Sequence, residues 1–182
     1  MYKKCNSYYL SKEMRFMEYN AIEIAKYVIN NATYEISNLE LQKIMYYIQA
    51  AFLVERNKQC FREELCAWEY GPVVKEVYDE FKVYGRSIIP PQEQADKIVF
   101  DAKTFGVKRV KDELIICEGD KIIINRVLKA YSDIQDPFEL VEKTHSEDPW
   151  INARITPEKI IKNDEIRSYY ALNKNKLYNR SN

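Results

Sequence analysis

"ISNLELQKIMYYIQAAFLVERNK", residues 36–58, carries the clearest helix signal in the chain. Ser37 suits an N-cap and Glu40 lies three residues on, so the two can exchange side-chain-to-backbone hydrogen bonds as a capping box. Ile36 and Leu41 are placed to staple the entry. Leu41, Ile44, Met45, Ile48, Ala51 and Phe52 then recur on one face. The spacing predicts a helix through the middle of the core. Just upstream, Ile22, Ala25 and Ile29 share a face, with Ala21 and Val28 beside them, and "NNATYE" separates this helix from the next.

Whole-chain totals agree with a helical reading. The 182 residues favour one domain with its own core, and only four glycines and six prolines interrupt it. Hydrophobic content of 46% against 31% charged predicts a folded chain. The formal net charge is zero, which argues against a dedicated nucleic-acid binder. Residues 1–18 are polar and read as an N-terminal extension to a domain spanning 19–182. No apolar signal-peptide core and no run of about 20 apolar residues is present, so a cytoplasmic protein without a membrane partner is expected. Cys5, Cys60, Cys66 and Cys117 form no C-x-x-C pair and are expected as free thiols. A zinc site from Cys60, Cys66, Cys117 and His145 fits no usual ligand spacing, so no metal and no cofactor is expected.

Downstream of the central helix comes "LCAWEYGPVVKEVYDEFKVYG", residues 65–85. Pro72 fits the first position of a helix, where its missing N–H goes unfelt. Val74, Val77, Tyr78, Phe81 and Tyr84 follow at helical spacing, and Gly85 suits the left-handed residue that closes it. A phosphate-cradling loop at Gly71-Pro72 would need more glycines and a Lys or Ser/Thr at fixed offset. "SIIPPQEQAD" reads as a linker. Residues 88–118 read as a variable insert, with a small β-hairpin expected within 97–118 from the β-branched runs "KIVF" and "VKRV". Helical spacing returns at Ile124, Val127, Leu128, Tyr131 and Ile134. Asp136-Pro137, Asp148-Pro149 and Thr156-Pro157 each pair a capping side chain with a proline. They predict short helices, with Asn163 capping the last. The fold class expected is mainly α, with about six to eight helices.

Candidate chemistry is sparse. His145 is the only imidazole; it could act as a general base oriented by Glu147 or Asp148, or be packed near a helix end behind Phe138 and Val141. Neither a nucleophile nor metal grammar accompanies it, so no catalytic residue and no enzyme activity is expected. The acids Glu63, Glu64, Glu76, Asp79, Glu80, Glu147 and Asp148 fall in clusters. Residues 61–80 carry a net charge of −4 and residues 133–148 a net of −5, while Lys103, Lys108, Arg109, Lys111 and the C-terminal lysines and arginines supply the bases. Such polarity suits a basic partner on the acidic side, and it also follows from the preference of acids for helix N-termini. Glu76, Asp79 and Glu80 are the candidate partner-binding residues.

The stretches "ISNLELQKIMYYIQAAFL", "AWEYGPVVKEVYDEFKVYG" and "ELVEKTHSEDPW", with the leading "AIEIAKYVIN", together resemble the Panacea domain, the family of SocA-like antitoxins. The pattern falls on Trp68, Gly71, Pro72, Thr144, His145, Asp148, Pro149 and Trp150, and residues 88–118 depart from it. The resemblance implies a helical antitoxin domain carried by bacteria and their phages or other mobile elements. It implies a cognate toxin as partner, encoded next to it and neutralised by direct binding. One branch instead delivers its toxin to a Clp-type protease. The resemblance implies no cofactor and gives the motif residues a mainly structural role. Two other classes stay open from the residues alone: an enzyme using His145 and a DNA-binding regulator using the basic segments.

Overall fold

Helix α2 (Asn38–Glu55) is the axis of the molecule, and its capping box forms as the sequence predicts. Ser37 N–H donates to Glu40 Oε2 at 2.8 Å, and the Glu40 N–H reaches Ser37 Oγ at 3.4 Å. Periodicity predicts one apolar face. Instead every residue from Leu41 to Leu53 is buried, on all faces. A helix surrounded on every side must satisfy its polar side chains internally. Gln42 Oε1 accepts from Val74 N–H at 2.9 Å. Gln49 Oε1 accepts from Cys60 N–H at 2.9 Å, while its Nε2 donates to Phe61 O at 3.1 Å. These bonds anchor the irregular chain on either side of the following strand.

The computed structural model describes residues 18–93, 96–101, 105–111, 116–134 and 136–178. Helix α1 (Ala21–Asn31) is capped by Asn20, whose Oδ1 accepts from Ile22 N–H at 2.9 Å. It packs on α2, as does α4 (Glu118–Ala130). Helices α5 (Pro137–His145), α6 (Asp148–Arg154), α7 (Asn163–Leu172) and α8 (Lys174–Tyr178) complete the shell. The architecture is mainly α, with eight α-helices among the described residues. Most of the N-terminal extension, Cys5, Lys103 and Arg180 lie outside the described residues. No described helix is long and apolar enough to cross a membrane.

The stretch after α2 departs from expectation. Strands β1 (Leu65–Trp68) and β2 (Gly71–Val74) form an antiparallel hairpin, and β5 (Ile160–Ile161) pairs with β1 to give the order β2-β1-β5. Pro72 therefore sits in a strand opposite Ala67, and helix α3 (Lys75–Phe81) starts three residues later than predicted. Proline is tolerated there because β2 is an edge strand. The predicted insert hairpin is present as β3 (Asp96–Asp101) and β4 (Gly106–Lys111).

The three Xaa-Pro pairs have separate fates. Asp136 caps α5, accepting from Phe138 N–H at 2.9 Å. Asp148 is already the first residue of α6 rather than its cap. Thr156 closes α6 by donating to Ala153 O at 2.9 Å, and an extended segment follows instead of a helix. Asn163 is the first residue of α7, and its amide donates to Gln59 Oε1 at 2.7 Å rather than capping.

Gly71 is the position where the fold tolerates no side chain. Its φ is +102°, and a Cβ would lie 2.5 Å from Lys43 Cε and 2.8 Å from Thr144 Oγ1. Gly71→Ala is expected to destabilise the protein by roughly 2–4 kcal/mol, combining left-handed strain with overpacking. Urea unfolding followed by circular dichroism measures this, and an unshifted midpoint would refute the account.

Candidate functional site

The residues of the sequence motif come from three separate stretches and converge on the β1–β2 hairpin. Strand β5 pairs only with Leu65 and Cys66, so the rest of that β1 edge needs other partners. The Lys159 carbonyl accepts from Ala67 N–H at 2.7 Å, and helix α6 adds two side-chain donors. Arg154 Nη1 donates to Ala67 O at 3.1 Å, and Trp150 Nε1 donates to Trp68 O at 3.2 Å. The imidazole of His145 lies flat on the Trp150 ring, centroids 4.0 Å apart. Thr144 is fully buried against Gly71, with its hydroxyl turned back to the carbonyls of Leu140 and Val141. Pro72 and Pro149 are buried; Trp68 and Trp150 are half-buried. Asp148 alone of the eight faces water, in the first turn of α6.

Among the described residues no acid forms an ion pair or hydrogen bond with His145. Glu147 is buried and turns away to accept from Tyr170 Oη at 2.6 Å and Tyr47 Oη at 3.3 Å, with Lys143 Nζ at 3.6 Å. Burial pushes the Glu147 carboxyl up, and the bond from Tyr170 and the charge of Lys143 oppose this. Burial pushes the imidazole down, and the nearby Lys43 charge adds to that. The Nε2 atom of His145 is buried with no hydrogen-bond partner. Of the cysteines, Cys60 is buried, Cys66 half-buried and Cys117 exposed, and all three are free. Among the described residues they do not gather with His145 into a metal-binding group.

On α3, Asp79 is held between Lys75 at 2.6 Å and Lys82 at 2.8 Å. The hydrogen bond from Lys75, then that from Lys82, brings the Asp79 carboxyl down to about 2. Glu76 and Glu80 are exposed and form no ion pair among the described residues. The uncompensated acidity of this helix is thus two carboxylates rather than three.

Beside α3, a cleft of about 610 Å³ opens between α2 and the hairpin turn. Trp68, Tyr70 and Tyr78 form part of its lining, and Lys82, Arg154 and Lys159 bring positive charge to it. Lys43 also lines it and is fully buried. Its Nζ donates to Pro72 O at 3.3 Å and has no carboxylate partner among the described residues. Burial alone brings its pKa from 10.5 down to about 7. A signal for this residue was present in the sequence: Lys43 is the only charged side chain between Leu41 and Val54. Helical periodicity assigns it to a solvated face, and only burial on all sides of α2 reverses that.

The protein is thus a mainly helical domain built on a buried central helix, with a β-hairpin clasped by a T-H-S-E-D-P-W segment. The chain belongs to the antitoxin SocA-like, Panacea domain family, whose model matches residues 41–151. It is also similar to the Antitoxin SocA of Caulobacter vibrioides, 39% identical over 54 residues, which is 30% of this chain and 29% of that protein. The alignment thus spans less than a third of the length of that relative. No solved structure matches the chain.

A lysine buried without an acid should weaken the fold while it is charged. Its folded-state pKa of about 7 lies below the ordinary 10.5, so the unfolded chain binds the extra proton between those values. The Lys43 contribution to stability therefore rises with pH from about 7 upward and is least favourable below it. Lys43→Met is expected to stabilise the protein at pH 6 by a few kcal/mol (roughly 3–5), with a gain that shrinks as pH increases. Urea unfolding of both proteins from pH 6 to 9 measures the difference. A constant difference, or a loss of stability at pH 6, would refute the buried-charge account.

Proposed function

We propose that the protein is an antitoxin-like binding module that neutralises a cognate toxin by forming a direct complex with it. The observation that carries this reading is family membership across residues 41–151. The geometry supports it in a second way. The motif residues Trp68, Gly71, Pro72, Thr144, His145, Pro149 and Trp150 hold the hairpin against α5 and α6. In this reading they preserve a scaffold and leave the exposed surface to select the partner. His145 lacks an orienting acid, which favours binding over catalysis.

The partner-facing surface includes the exposed side of α3, with Glu76 and Glu80 as its free carboxylates and Asp79 between its two lysines. A basic toxin surface would be drawn to it, and the encounter would be faster at low salt. The toxin would be encoded beside this protein and share its compartment, the cytoplasm of a bacterium hosting a phage or other mobile element.

The paired substitution Glu76→Lys and Glu80→Lys leaves the Asp79 ion pairs in place and reverses the local charge. It is expected to weaken binding to the neighbouring gene product by at least about tenfold, corresponding to roughly 1.4 kcal/mol. Toxicity should return in co-expressing cells. Calorimetric titration of the purified pair reads both stoichiometry and affinity. Unchanged affinity in the folded variant would remove α3 from the interface. Protection well below one molecule per toxin, lost when a Clp-type protease is deleted, would replace direct neutralisation with delivery for degradation.

A further inference from the structure

The cleft beside α3 has features that a scaffold alone does not need. Its lining joins three aromatic side chains to four basic ones, counting buried Lys43, and to a single acid, Glu69, so positive charge is in excess. An unpaired buried lysine is costly, and methionine has nearly the same shape without that cost. A buried basic group that costs stability, placed at a concave site, points to a ligand. The volume of about 610 Å³ is that of a small-molecule site. Three cations carry the charge argument. Lys43 has one hydrogen bond, to Pro72 O, and no acid. Arg154 uses one N–H on Ala67 O, and Lys159 forms no ion pair among the described residues. Lys82 is already engaged by Asp79 and contributes less. Of the aromatic residues, Tyr70 is 56% exposed at the hairpin turn, and Trp68 stands edge-on to Tyr78 with centroids 5.0 Å apart. Rings held in this way offer a surface on which a planar group can stack.

We propose that this cleft binds a small planar organic anion, with its oxyanion drawn towards Lys43, Arg154 and Lys159 and its ring against Trp68, Tyr70 and Tyr78. The requirement for both parts follows from the lining. Cations alone would hold any anion weakly in water, and aromatic walls alone would not select charge. The inference does not rest on the antitoxin reading, and its test uses no toxin.

Adenosine monophosphate, adenosine and inorganic phosphate serve as probes, because they supply the whole pattern, the ring alone and the oxyanion alone. Each is titrated into the full-length protein at low salt and pH 6, where Lys43 is charged, and backbone amide and Trp68 indole shifts are followed by NMR. The monophosphate should bind saturably, with adenosine and phosphate each weaker by at least about tenfold. Shifts should concentrate at the β1–β2 turn and around Tyr78. Lys43→Met removes the buried charge and keeps the side-chain length. Lys159→Asn removes a rim charge at φ +52°, which asparagine tolerates. Both should weaken the monophosphate by about fivefold or more, whereas Lys129→Ala on α4 should not. Tyr70→Ala should weaken the monophosphate and leave phosphate unchanged. The proposal fails if millimolar monophosphate produces no saturable shift at this cleft. It also fails if phosphate alone binds as tightly, or if the Lys43 and Lys159 variants bind as well as the parent.

Discussion

Helix α2 is buried on every face although it carries glutamines, tyrosines and a lysine, and the rest of the structure follows from that constraint. A buried polar group without a partner costs more than a hydrogen bond contributes, so each one dictates where a neighbouring segment must pass. Gln42 fixes the end of β2 through Val74. Gln49 fixes the loop around Cys60 and Phe61, and also reaches Asn163 at the start of α7. Tyr47 meets Glu147 between α5 and α6. The helix thus acts as a template as well as a hydrophobic core. Its side chains specify the position of chain that has no regular structure of its own.

The hairpin is the second element so placed, and it links scaffold to surface. One side of it is closed by Gly71 against Lys43 and Thr144. The other is closed by Trp150 and Arg154, which donate to the backbone carbonyls of Trp68 and Ala67. A residue type at each motif position has a physical reason: glycine for close approach, a small buried hydroxyl that bonds within its own helix, an indole with a donor at its edge. The same hairpin carries Tyr70 at its turn and borders the cleft. Rigid support on one face therefore sets the geometry presented on the other.

Charge distribution tells a different story in three dimensions than along the chain. The −4 of residues 61–80 suggests one acidic face. In the fold, Lys82 from just beyond that window holds Asp79 with Lys75, and Arg154 and Lys159 arrive from the distant α6 region. An acidic helix surface and a cationic cleft end up side by side. Lys82 belongs to both, pairing with Asp79 on α3 and lining the cleft.

Local signals determined α1, α2 and α5, because caps and apolar spacing act within a few residues. Ser37 with Glu40, and Asp136, cap as their sequences indicate. The β-branched insert likewise forms its hairpin, since both strands lie close in sequence. The motif also named the residues that converge, through its family resemblance rather than through any rule of spacing. Tertiary structure decided the remainder. "LCAW" and "GPVV" became strands because β5, from far down the chain, and the side chains of α6 complete their hydrogen bonding. Pro72 was displaced from helix start to edge strand by that pairing. Lys43 and Glu147 are charged residue types that the fold buries, because their exposure depends on helices that pack from the opposite end of the chain. A one-dimensional pattern records the environment a residue makes for itself within a few turns, whereas burial, pKa and the cleft depend on contacts that only folding brings together.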